Sequence, residues 1–327
     1  MTVRLLATGG TIASRLDPDT GAVVPAVSPQ DLLAAVPELA EAGPIEVEEL
    51  DRVNGWNVTP QVMERAAVAA RRALADDGVD GVVITHGTDT VEETLYLVDL
   101  LAGEATDRGA IAFACAMRSS GELGADGPRN LRDAVRVATD PAARGRGALL
   151  VVNDEIHCAR WATKTHTTNV STFRSWPGGP VGRLDQGTPR FDLATPARPP
   201  HGDRLDPAVA LVKAYTGMDD GMLRWLVDDR DVHGIVIEGT GAGNVPGDLV
   251  AGIDHALGRG VPVVIASRCP TGRTQPIYGG PGGGVTLDQH GVVRSNGLNG
   301  PKARLGLMVA LGIDRDPDHV REWFTGA

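Results

Sequence analysis

The segment that most constrains the fold of this 327-residue chain is GVVITHGTDTVEETLYLVDLL, which runs from Gly81 to Leu101. It opens with a run of β-branched residues, Val82 to Ile84. Residues at helical spacing follow, and they are Val91, Thr94, Leu95, Val98 and Leu101. These patterns predict a buried strand that passes directly into an amphipathic helix. Thr88 and Asp89 then lie in the turn between the two elements, at the carboxyl end of the strand.

This turn has two interpretations. Open α/β sheets bind ligands at the carboxyl ends of their strands, so a hydroxyl beside a carboxylate at that edge indicates a ligand site. The alternative is an ordinary connection in which Thr88 and Asp89 only cap the helix. Thr90 and Glu93, three residues apart, also predict a capping box at the start of the helix.

A second connection of the same kind, at the start of the chain, favours the ligand site. The short apolar strand Val3–Ala7 is followed by a turn in which Gly9 and Gly10 precede Thr11. Glycines let backbone N–H groups approach a ligand closely, as in anion-binding nests. The segment has neither the G-x-x-x-x-G-K-[ST] nor the G-x-G-x-x-G pattern, so no nucleotide cofactor is predicted.

A third segment supplies a candidate base. The strand Ala148–Val152 precedes the segment Trp161–Thr168, which carries Lys164. Lys164 is one of only three lysines among 31 lysines and arginines, so it does not belong to a crowd of solvated amines. A lysine that is desolvated beside hydroxyls can have its pKa lowered enough to take a proton from threonine. The alternative is a surface ion pair with Asp154 or Glu155.

Taken together, the motifs ATGGTIAS, THGTDTVEET and ATKTHTT resemble those of the bacterial-type L-asparaginase/glutaminase family. The resemblance covers nearly the whole chain. It includes four further segments: AMRSS at 116–120, ADGPRNL at 125–131, GTGAGN at 239–244 and PKARL at 301–305. One such motif is weakly specific, whereas two threonine signatures with the lysine segment in register are strongly specific.

The resemblance implies a threonine amidohydrolase and a set of catalytic residues. A threonine attacks the side-chain amide, ammonia leaves, and water releases aspartate from the acyl-enzyme. Thr11 is the implied nucleophile, while Thr88, Asp89 and Lys164 form the polar group behind the scissile amide. A neutral threonine hydroxyl needs an adjacent base, and Lys164 is the amine available. Asp89 is expected to orient this lysine or to bind the substrate ammonium.

Further groups complete the predicted site. Backbone N–H groups around Gly10 and Gly87 are expected to bind the substrate and the developing oxyanion. The resemblance also implies that the glycine-rich turn carrying Asn244 faces the site of a neighbouring subunit and helps to hold the substrate amino group. A homodimer or homotetramer follows from the resemblance alone.

The chain departs from the family pattern in three places. The loop Ser14–Pro25 lacks the tyrosine that usually activates the first threonine, and no glutamate lies between Glu238 and Glu322. Gly55 and Trp56 stand where two small donors usually bind the substrate carboxylate. Because an indole fills volume and offers one donor and no acceptor, the pocket is expected to be reshaped and the affinity for L-asparagine to be weak.

Tyr278 is a candidate replacement for the missing phenol. Glycines follow it at 279, 280 and 282–284, and their backbone freedom would allow a mobile lid. A phenol can relay a threonine proton once its pKa is lowered from about 10. The alternative is that Tyr278 is a packed loop residue and Lys164 is the sole activator.

Three functions fit these observations. The first is hydrolysis of L-asparagine, inefficient because of the departures, and the second is hydrolysis of a different amide or ester. The third is a non-catalytic family member that binds a small amino acid. The intact Thr11, Thr88, Asp89 and Lys164 favour an enzyme, because a binding protein has no need of a lysine beside a threonine.

Composition restricts partners and compartment. A formal net charge of −11 argues against nucleic acid and anionic membranes as partners. The resemblance implies a small amino-acid amide as the ligand. The three cysteines have no zinc-binding spacing, and no metal is predicted. The first strand begins at residue 3 and no apolar run reaches about 18 residues, which predicts a cytoplasmic protein.

Strands and helices alternate along the chain, which predicts an α/β fold. We expect a larger N-terminal, doubly wound, mostly parallel sheet domain at 1–192, a linker at 193–207 and a smaller C-terminal α/β domain at 208–327. The predicted strands lie near 3–7, 45–50, 81–85, 110–116, 148–152, 209–215, 233–238 and 261–266. The predicted helices lie near 29–36, 60–76, 91–102, 128–138, 219–229, 247–257 and 301–312. No regular pattern is predicted from 183 to 206.

Overall fold

The chain forms two compact units, Met1–Pro196 and Ala197–Ala327. The computed structural model describes residues 1–17, 19–198 and 201–326. The predicted linker at 193–207 includes Pro199 and Pro200, which lie outside the described residues, and its limits stay a prediction. No helix in the described part of the chain is long and apolar enough to cross a membrane.

The first unit is built on one large sheet. The strands of this unit, inside and outside the large sheet, are β1 (Val3–Gly9), β2 (Ser14–Leu16), β3 (Val23–Pro25), β4 (Ile45–Val53), β5 (Gly81–Thr85), β6 (Ala110–Ala114), β7 (Ala148–Val152), β8 (Glu155–Cys158), β9 (Ala162–Lys164), β10 (Phe173–Ser175), β11 (Gly182–Asp185) and β12 (Thr188–Phe191). Its α-helices are α1 (Pro29–Ala34), α2 (Pro60–Leu74), α3 (Val91–Ala102), α4 (Ala105–Arg108) and α5 (Gly127–Thr139). Short 3₁₀ helices lie at Thr11–Ala13, Pro37–Ala42, Gly55–Asn57 and Pro141–Ala143.

The large sheet has the order β12-β11-β8-β7-β6-β5-β1-β4. The five strands from β7 to β4 are parallel, and β8, β11 and β12 extend the sheet by antiparallel pairing. Because β4 and β5 flank β1 on opposite sides, the order of the parallel strands reverses between β1 and β5. That reversal is the switch point at which doubly wound sheets bind ligands.

Alternating side chains of the parallel strands pack on the two faces of the sheet. On one face, Leu5 and Val83 join Leu131 and Val135 of α5 in a single buried cluster. On the other face, α2 and α3 pack against each other and cover the sheet. Because both faces are covered, β5, β6 and β7 are buried at every position, which explains their uninterrupted apolar sequences.

The second unit is also a parallel sheet packed against helices, but it is smaller. A four-stranded parallel sheet has the order β13 (Val209–Lys213), β14 (Gly234–Gly239), β15 (Val263–Ser267) and β16 (Val293–Arg294). Its helices are α6 (Gly221–Asp228), α7 (Val250–Gly258), α8 (Gly284–His290), α9 (Gly300–Ile313) and α10 (Pro317–Thr325). One buried cluster joins Leu223 of α6 and Ile253 of α7 to Ile235 and Ile237 of β14.

The predicted fold class is confirmed, and the main differences concern polar or short strands. The prediction of no regular structure from 183 to 206 is wrong, because β11 and β12 form a hairpin there that joins the sheet through β8. The strands β8, β9 and β10 are also absent from the prediction. They have three or four residues each, which is too short for an alternating pattern to be recognised.

The predicted capping box at the start of α3 is wrong. The Thr90 side chain makes no capping hydrogen bond to the helix. Its hydroxyl instead donates to the backbone oxygen of Gly55 at 2.6 Å. Thr90 therefore ties the turn after β5 to the turn after β4, so a residue read as a local helix signal forms a tertiary contact.

His86 lies fully buried directly behind the turn after β5. Its Nδ1 lies 2.8 Å from the carbonyl oxygen of Gly87, and its Nε2 lies 2.8 Å from Thr94 Oγ1. A carbonyl only accepts, so Nδ1 carries the proton and Nε2 accepts from the threonine hydroxyl. Burial lowers the pKa of His86 to about 4, against the opposing effect of its bond to Gly87. The neutral ring thus supports the turn.

We expect this burial to make stability depend on pH. The folded-state pKa lies below the unfolded value of 6.5, so the stabilisation is fully present above pH 6.5 and is lost as pH falls towards 4. The difference corresponds to about 3 kcal/mol in the free energy of unfolding. Urea unfolding between pH 7 and 4.5 measures it, with His86→Asn, which keeps a donor for the Gly87 carbonyl, as control. An equally steep pH dependence in the variant would contradict the assignment.

Candidate active site

The two predicted threonines follow neighbouring strands. Ala7 of β1 pairs with Thr85 of β5, so the turns after these strands emerge side by side at the switch point of the sheet. Thr11 begins a short 3₁₀ helix after β1 and is half-buried. Thr88 lies three residues beyond the end of β5 and is 5% exposed. The predicted placement of both hydroxyls at one sheet edge is therefore what the structure shows.

Three glycines bring the turns into backbone contact. A Cβ atom at Gly10 would lie 2.3 Å from the backbone nitrogen of Gly87, closer than any side chain tolerates. A Cβ at Gly87 would in turn lie 3.1 Å from the backbone of Gly55. Gly10 also has φ = 87°, a left-handed conformation that favours glycine. The close approach of the turns after β1 and β5 therefore requires glycine at position 10, whereas a Cβ at Gly55 would make only ordinary contacts at 3.6 Å.

Lys164 reaches the site from the end of β9. This strand pairs with β10, in which Phe173 lies opposite Lys164. The backbone N–H of Lys164 donates to Glu92 Oε2 on α3 at 2.6 Å. Its side chain is 14% exposed. The lysine is therefore fixed at its backbone by α3, whose N-terminus begins just beyond the turn that carries Thr88.

The Lys164 ammonium contacts both polar residues of that turn. Nζ lies 2.9 Å from Thr88 Oγ1 and 2.7 Å from Asp89 Oδ1. The predicted group of Thr88, Asp89 and Lys164 is thus brought together across 76 residues of chain. The alternative ion pairs are wrong, because Lys164 pairs with Asp89. Asp154 instead pairs with Arg129 at 2.7 Å, and Glu155 lies 3.5 Å from His157.

This arrangement can move a proton. A lysine amine in direct hydrogen-bond contact with a threonine hydroxyl can take its proton once the amine is neutral. Asp89 holds the lysine through one carboxylate oxygen, and its side chain is still 52% exposed. The carboxylate can therefore orient Lys164 and also face a cationic substrate group, the two roles predicted for it.

Ser14 stabilises the turn that carries Thr11. Its hydroxyl donates to the backbone oxygen of Gly10 at 2.8 Å. The backbone oxygen of Ser14 accepts from the N–H of Ser120 at 3.3 Å and from its hydroxyl at 3.1 Å. These bonds fix the direction in which the chain leaves Thr11. Pro18, within the predicted loop Ser14–Pro25, lies outside the described residues.

The two residues predicted to contact the substrate carboxylate differ in their surroundings. Gly55 is buried, and a Cβ there would lie 3.6 Å from Asp89 Cβ. Trp56, next in the chain on the short helix Gly55–Asn57, is 66% exposed. The indole thus stands largely in solvent beside the site in this chain, and its effect on substrate affinity stays a prediction.

Asn244 and Tyr278 both belong to the second unit. Asn244 is half-buried, closes a turn by an isolated bridge with Thr240, and accepts the N–H of Gly284 at its Oδ1 atom, 3.0 Å away. Tyr278 is 59% exposed in an irregular segment, where its backbone oxygen accepts from Val285. Their predicted roles in the site of a neighbouring subunit stay predictions.

Two residues and one contact that matter to this geometry are absent from the prediction: His86, Glu92 and the hydrogen bond from Thr90 to Gly55. His86 and Glu92 lie inside the THGTDTVEET motif, so the motif marks their place but not their partners. Glu92 and Thr90 bind backbone groups of other segments, and His86 binds the carbonyl of Gly87 and the hydroxyl of Thr94. Sequence pattern carries no signal for such contacts. Among the described residues, no group of three or more histidines, cysteines and acids is arranged to hold a metal ion.

Comparisons with known proteins match both halves of the chain. The family description "Asparaginase, N-terminal" matches residues 2–196, and "Glutaminase/Asparaginase C-terminal domain" matches residues 208–324. The L-asparaginase 2 of Escherichia coli is 36% identical over 334 residues, which cover 99% of this chain and 92% of that protein. The L-asparaginase 2 of Bacillus subtilis is 34% identical, covering 99% of this chain and 86% of that protein.

An amidotransferase subunit and a solved structure are also similar to this chain. A subunit of the glutamyl-tRNA(Gln) amidotransferase of Pyrococcus furiosus is 34% identical over 96% of this chain and 73% of that protein. The crystal structure of a probable cytoplasmic L-asparaginase from Campylobacter jejuni superposes with a TM-score of 0.86 at 29% identity, covering 99% of both chains. With both halves matched, and the lysine–threonine–aspartate group in place, the chain belongs to the asparaginase family of amidohydrolases.

Proposed function

We propose that the protein hydrolyses the side-chain amide of L-asparagine to L-aspartate and ammonia through a threonine acyl-enzyme. The observation that carries this proposal is the contact of Lys164 Nζ with Thr88 Oγ1 and Asp89 Oδ1 at the switch point of the sheet. Relatives named L-asparaginase that match over nearly the full chain support the substrate.

In the proposed reaction, Thr11 Oγ1 attacks the amide carbon of the substrate. Its proton passes through Thr88 to the neutral amine of Lys164, and the carbonyl oxygen takes the developing negative charge. The C–N bond then breaks, and the leaving nitrogen takes a proton from the same relay and departs as ammonia. Water attacks the resulting ester, which releases L-aspartate and regenerates the Thr11 hydroxyl. The contact of Gly10 with Gly87 supports this relay, because each glycine immediately precedes one of the two threonines.

The glycine contact also supports an oxyanion site. Backbone N–H groups around Gly10 and Gly87 lie at one place, where fixed donors stabilise developing charge without reorganisation. Loss of one such donor typically costs about 3–4 kcal/mol in the activation free energy. The exposed part of the Asp89 carboxylate supports binding of the substrate ammonium at the same edge.

A second candidate is hydrolysis of a different amide by the same group. Gly55 and Trp56 support it, because they replace two small donors with a glycine and an exposed indole. The relatives named as subunits of glutamyl-tRNA(Gln) amidotransferase show that the same domains occur in proteins that are not named asparaginases. In this case the acyl-enzyme chemistry is unchanged and only the group beyond the amide differs.

We also infer a cytoplasmic homodimer or homotetramer with a small amino-acid amide as its ligand. The likeness to a structure titled probable cytoplasmic L-asparaginase supports the compartment, while another relative is named probable periplasmic L-asparaginase. Family membership supports the oligomer, in which Asn244 and Tyr278 of a neighbouring copy would complete the site. Cell fractionation tests the compartment, and a secreted protein would contradict that inference. Light scattering of the purified protein tests the oligomer, and an active monomer would contradict that inference.

Ammonia release from a panel of amides tests the substrate. We expect turnover of L-asparagine above that of L-glutamine, D-asparagine and simple aliphatic amides, with a KM in or above the upper part of the usual range of about 1 μM to 1 mM. Turnover of another amide at higher kcat/KM would favour the second candidate. No ammonia from any amide would contradict both.

Lys164→Met tests the proton acceptor. The variant keeps the aliphatic stem but removes the amine, so we expect kcat to fall about 10³-fold or more while the melting temperature changes little. Lys213→Met is the matched control, because Lys213 is 65% exposed and pairs with Glu238 in the second unit. A Lys164→Met enzyme with more than a tenth of the wild-type kcat would show that the lysine is structural.

Substitutions of Glu92 test whether activity requires the hydrogen bond that holds the backbone N–H of Lys164. Glu92→Leu removes the acceptor of the Lys164 N–H, so the lysine should lose its fixed position and kcat should fall about tenfold, with KM nearly unchanged. Glu92→Gln keeps an oxygen acceptor and should restore most of the rate. Equal rates in both variants would mean that this hydrogen bond does not position the lysine.

A further inference from the structure

A cavity of about 340 Å³ lies in the first unit, next to the turn that carries Thr11. The residues predicted for the reaction, Thr11, Thr88, Asp89 and Lys164, do not line it. Its volume is within the range of small-molecule sites, which begins at about 300 Å³. The proposed hydrolysis makes no use of this cavity.

The cavity has an apolar floor. Four buried aliphatic side chains form it, and they are Ile12, Val27, Leu32 and Leu131. They come from the short helix after β1, the segment after β3, α1 and α5. An apolar surface of this kind favours an apolar ligand body, because burial removes its contact with water.

The rim of the cavity carries charge. Arg15 and Arg118 are both exposed there, together with Asp31. Hydrogen bonds from Ser28, aided by the charge of Arg15, hold the pKa of Asp31 below its usual value. The Asp31 carboxylate is already used in the capping box of α1. The rim therefore offers two guanidinium groups against one carboxylate that is engaged in its own helix.

Arg118 keeps donors for a ligand. Its Nη1 atom donates to the backbone oxygen of Gly124 at 3.1 Å, which orients the guanidinium but uses one of its five N–H groups. Glu122, the next acid along the chain, accepts from the N–H and hydroxyl of Ser119 at 2.8 Å. After the hydrogen bonds from Ser119, the charge of Arg118 also helps to hold the pKa of Glu122 below its usual value, so Glu122 offsets part of the positive charge of Arg118.

From this combination we propose that the cavity is a second ligand site, specific for a small monocarboxylate with a compact apolar body. The body packs on the aliphatic floor, and the carboxylate accepts from Arg15 and Arg118. Guanidinium groups bind carboxylates through paired, charge-assisted hydrogen bonds. A neutral molecule of the same shape lacks those bonds, and inorganic phosphate lacks the apolar body.

The walls of the cavity connect it to the active site. Ile12 directly follows Thr11 in the same short helix, and Ser120 holds the backbone oxygen of Ser14. The Ser14 hydroxyl in turn holds the backbone oxygen of Gly10. A ligand in the cavity therefore contacts Ile12, which is next to Thr11 in the chain, and Ser120, which is linked to the Thr11 turn by two successive hydrogen bonds. Occupancy of the cavity should make this turn more rigid.

Isothermal titration calorimetry with phenylacetate tests the proposal on the full-length protein. We expect phenylacetate to bind at least tenfold more tightly than 2-phenylethanol and than inorganic phosphate. Arg15→Gln and Arg118→Gln should each weaken phenylacetate binding about tenfold, whereas Arg259→Gln, an exposed arginine of the second unit, should not. Equal binding of acid and alcohol, or unchanged binding in both rim variants, would overturn the proposal.

Two further variants locate the site. Gly121 lines the cavity, and a Cβ there meets nothing within 4 Å, so Gly121→Phe should fold normally and block binding. Lys164→Met should bind phenylacetate as the wild type does; loss of binding in this variant would place the ligand in the active site and refute a second site. In hydrogen exchange, residues 10–16 should gain protection on binding, and unchanged protection would refute the connection to Thr11.

Discussion

The backbone contact among Gly10, Gly55 and Gly87 is the constraint on which the site depends. The turns after β1 and β5 approach each other at Gly10 more closely than any side chain would permit, and the turn after β4 lies so near Gly87 that a Cβ there would be tightly packed. This approach places the residues that follow, Thr11 and Thr88, at one edge of the sheet. The hydroxyl of Thr90 fastens the same arrangement by its bond to Gly55. Without these contacts the turns that carry the two threonines would lie further apart.

The polar group behind this edge is held from outside the turns. Lys164 comes from a two-stranded ribbon, and Glu92 on α3 binds its backbone N–H. His86, neutral and fully buried, supports the Gly87 carbonyl from below. Glu92 and His86 act on backbone groups, whereas the Lys164 side chain contacts the Thr88 hydroxyl directly. Lys164 is therefore held both at its backbone and at its ammonium group.

Much of the fold could be predicted from sequence, because long apolar strands and amphipathic helices have clear periods. Strand β5 and helix α3 have the predicted limits, since the run of β-branched residues ends where the glycine-containing turn begins. The hairpin of β11 and β12 could not be predicted, because each strand has only four residues and the exposed ones include Arg183, Asp185 and Arg190. Pro189 also lies in β12, which tolerates it because β12 is the edge strand and only one of its sides is paired.

The candidate site, like the fold, can be predicted from the sequence only in part. The motifs and the rarity of lysine predict Thr88, Asp89 and Lys164, and the structure brings them into contact. The sequence does not predict the partners Glu92 and Ser14, because a carboxylate or hydroxyl that binds a backbone group has no pattern in sequence. The spacing of Thr90 to Glu93 predicts a local cap, which is wrong because the Thr90 hydroxyl has a tertiary partner.

The position of the lysine segment in the chain also affects the order in which contacts form during synthesis. Thr88 and Lys164 are 76 residues apart, and β9 is held by pairing with β10, which ends at Ser175. Contacts this distant form late, because the loop between them must first be ordered. On the ribosome, the strands β1 and β5 are complete long before the ribbon that carries the amine has left the exit tunnel. The contact of Lys164 with Thr88 and Asp89 can therefore complete this edge of the sheet only when the last third of the unit has been synthesised.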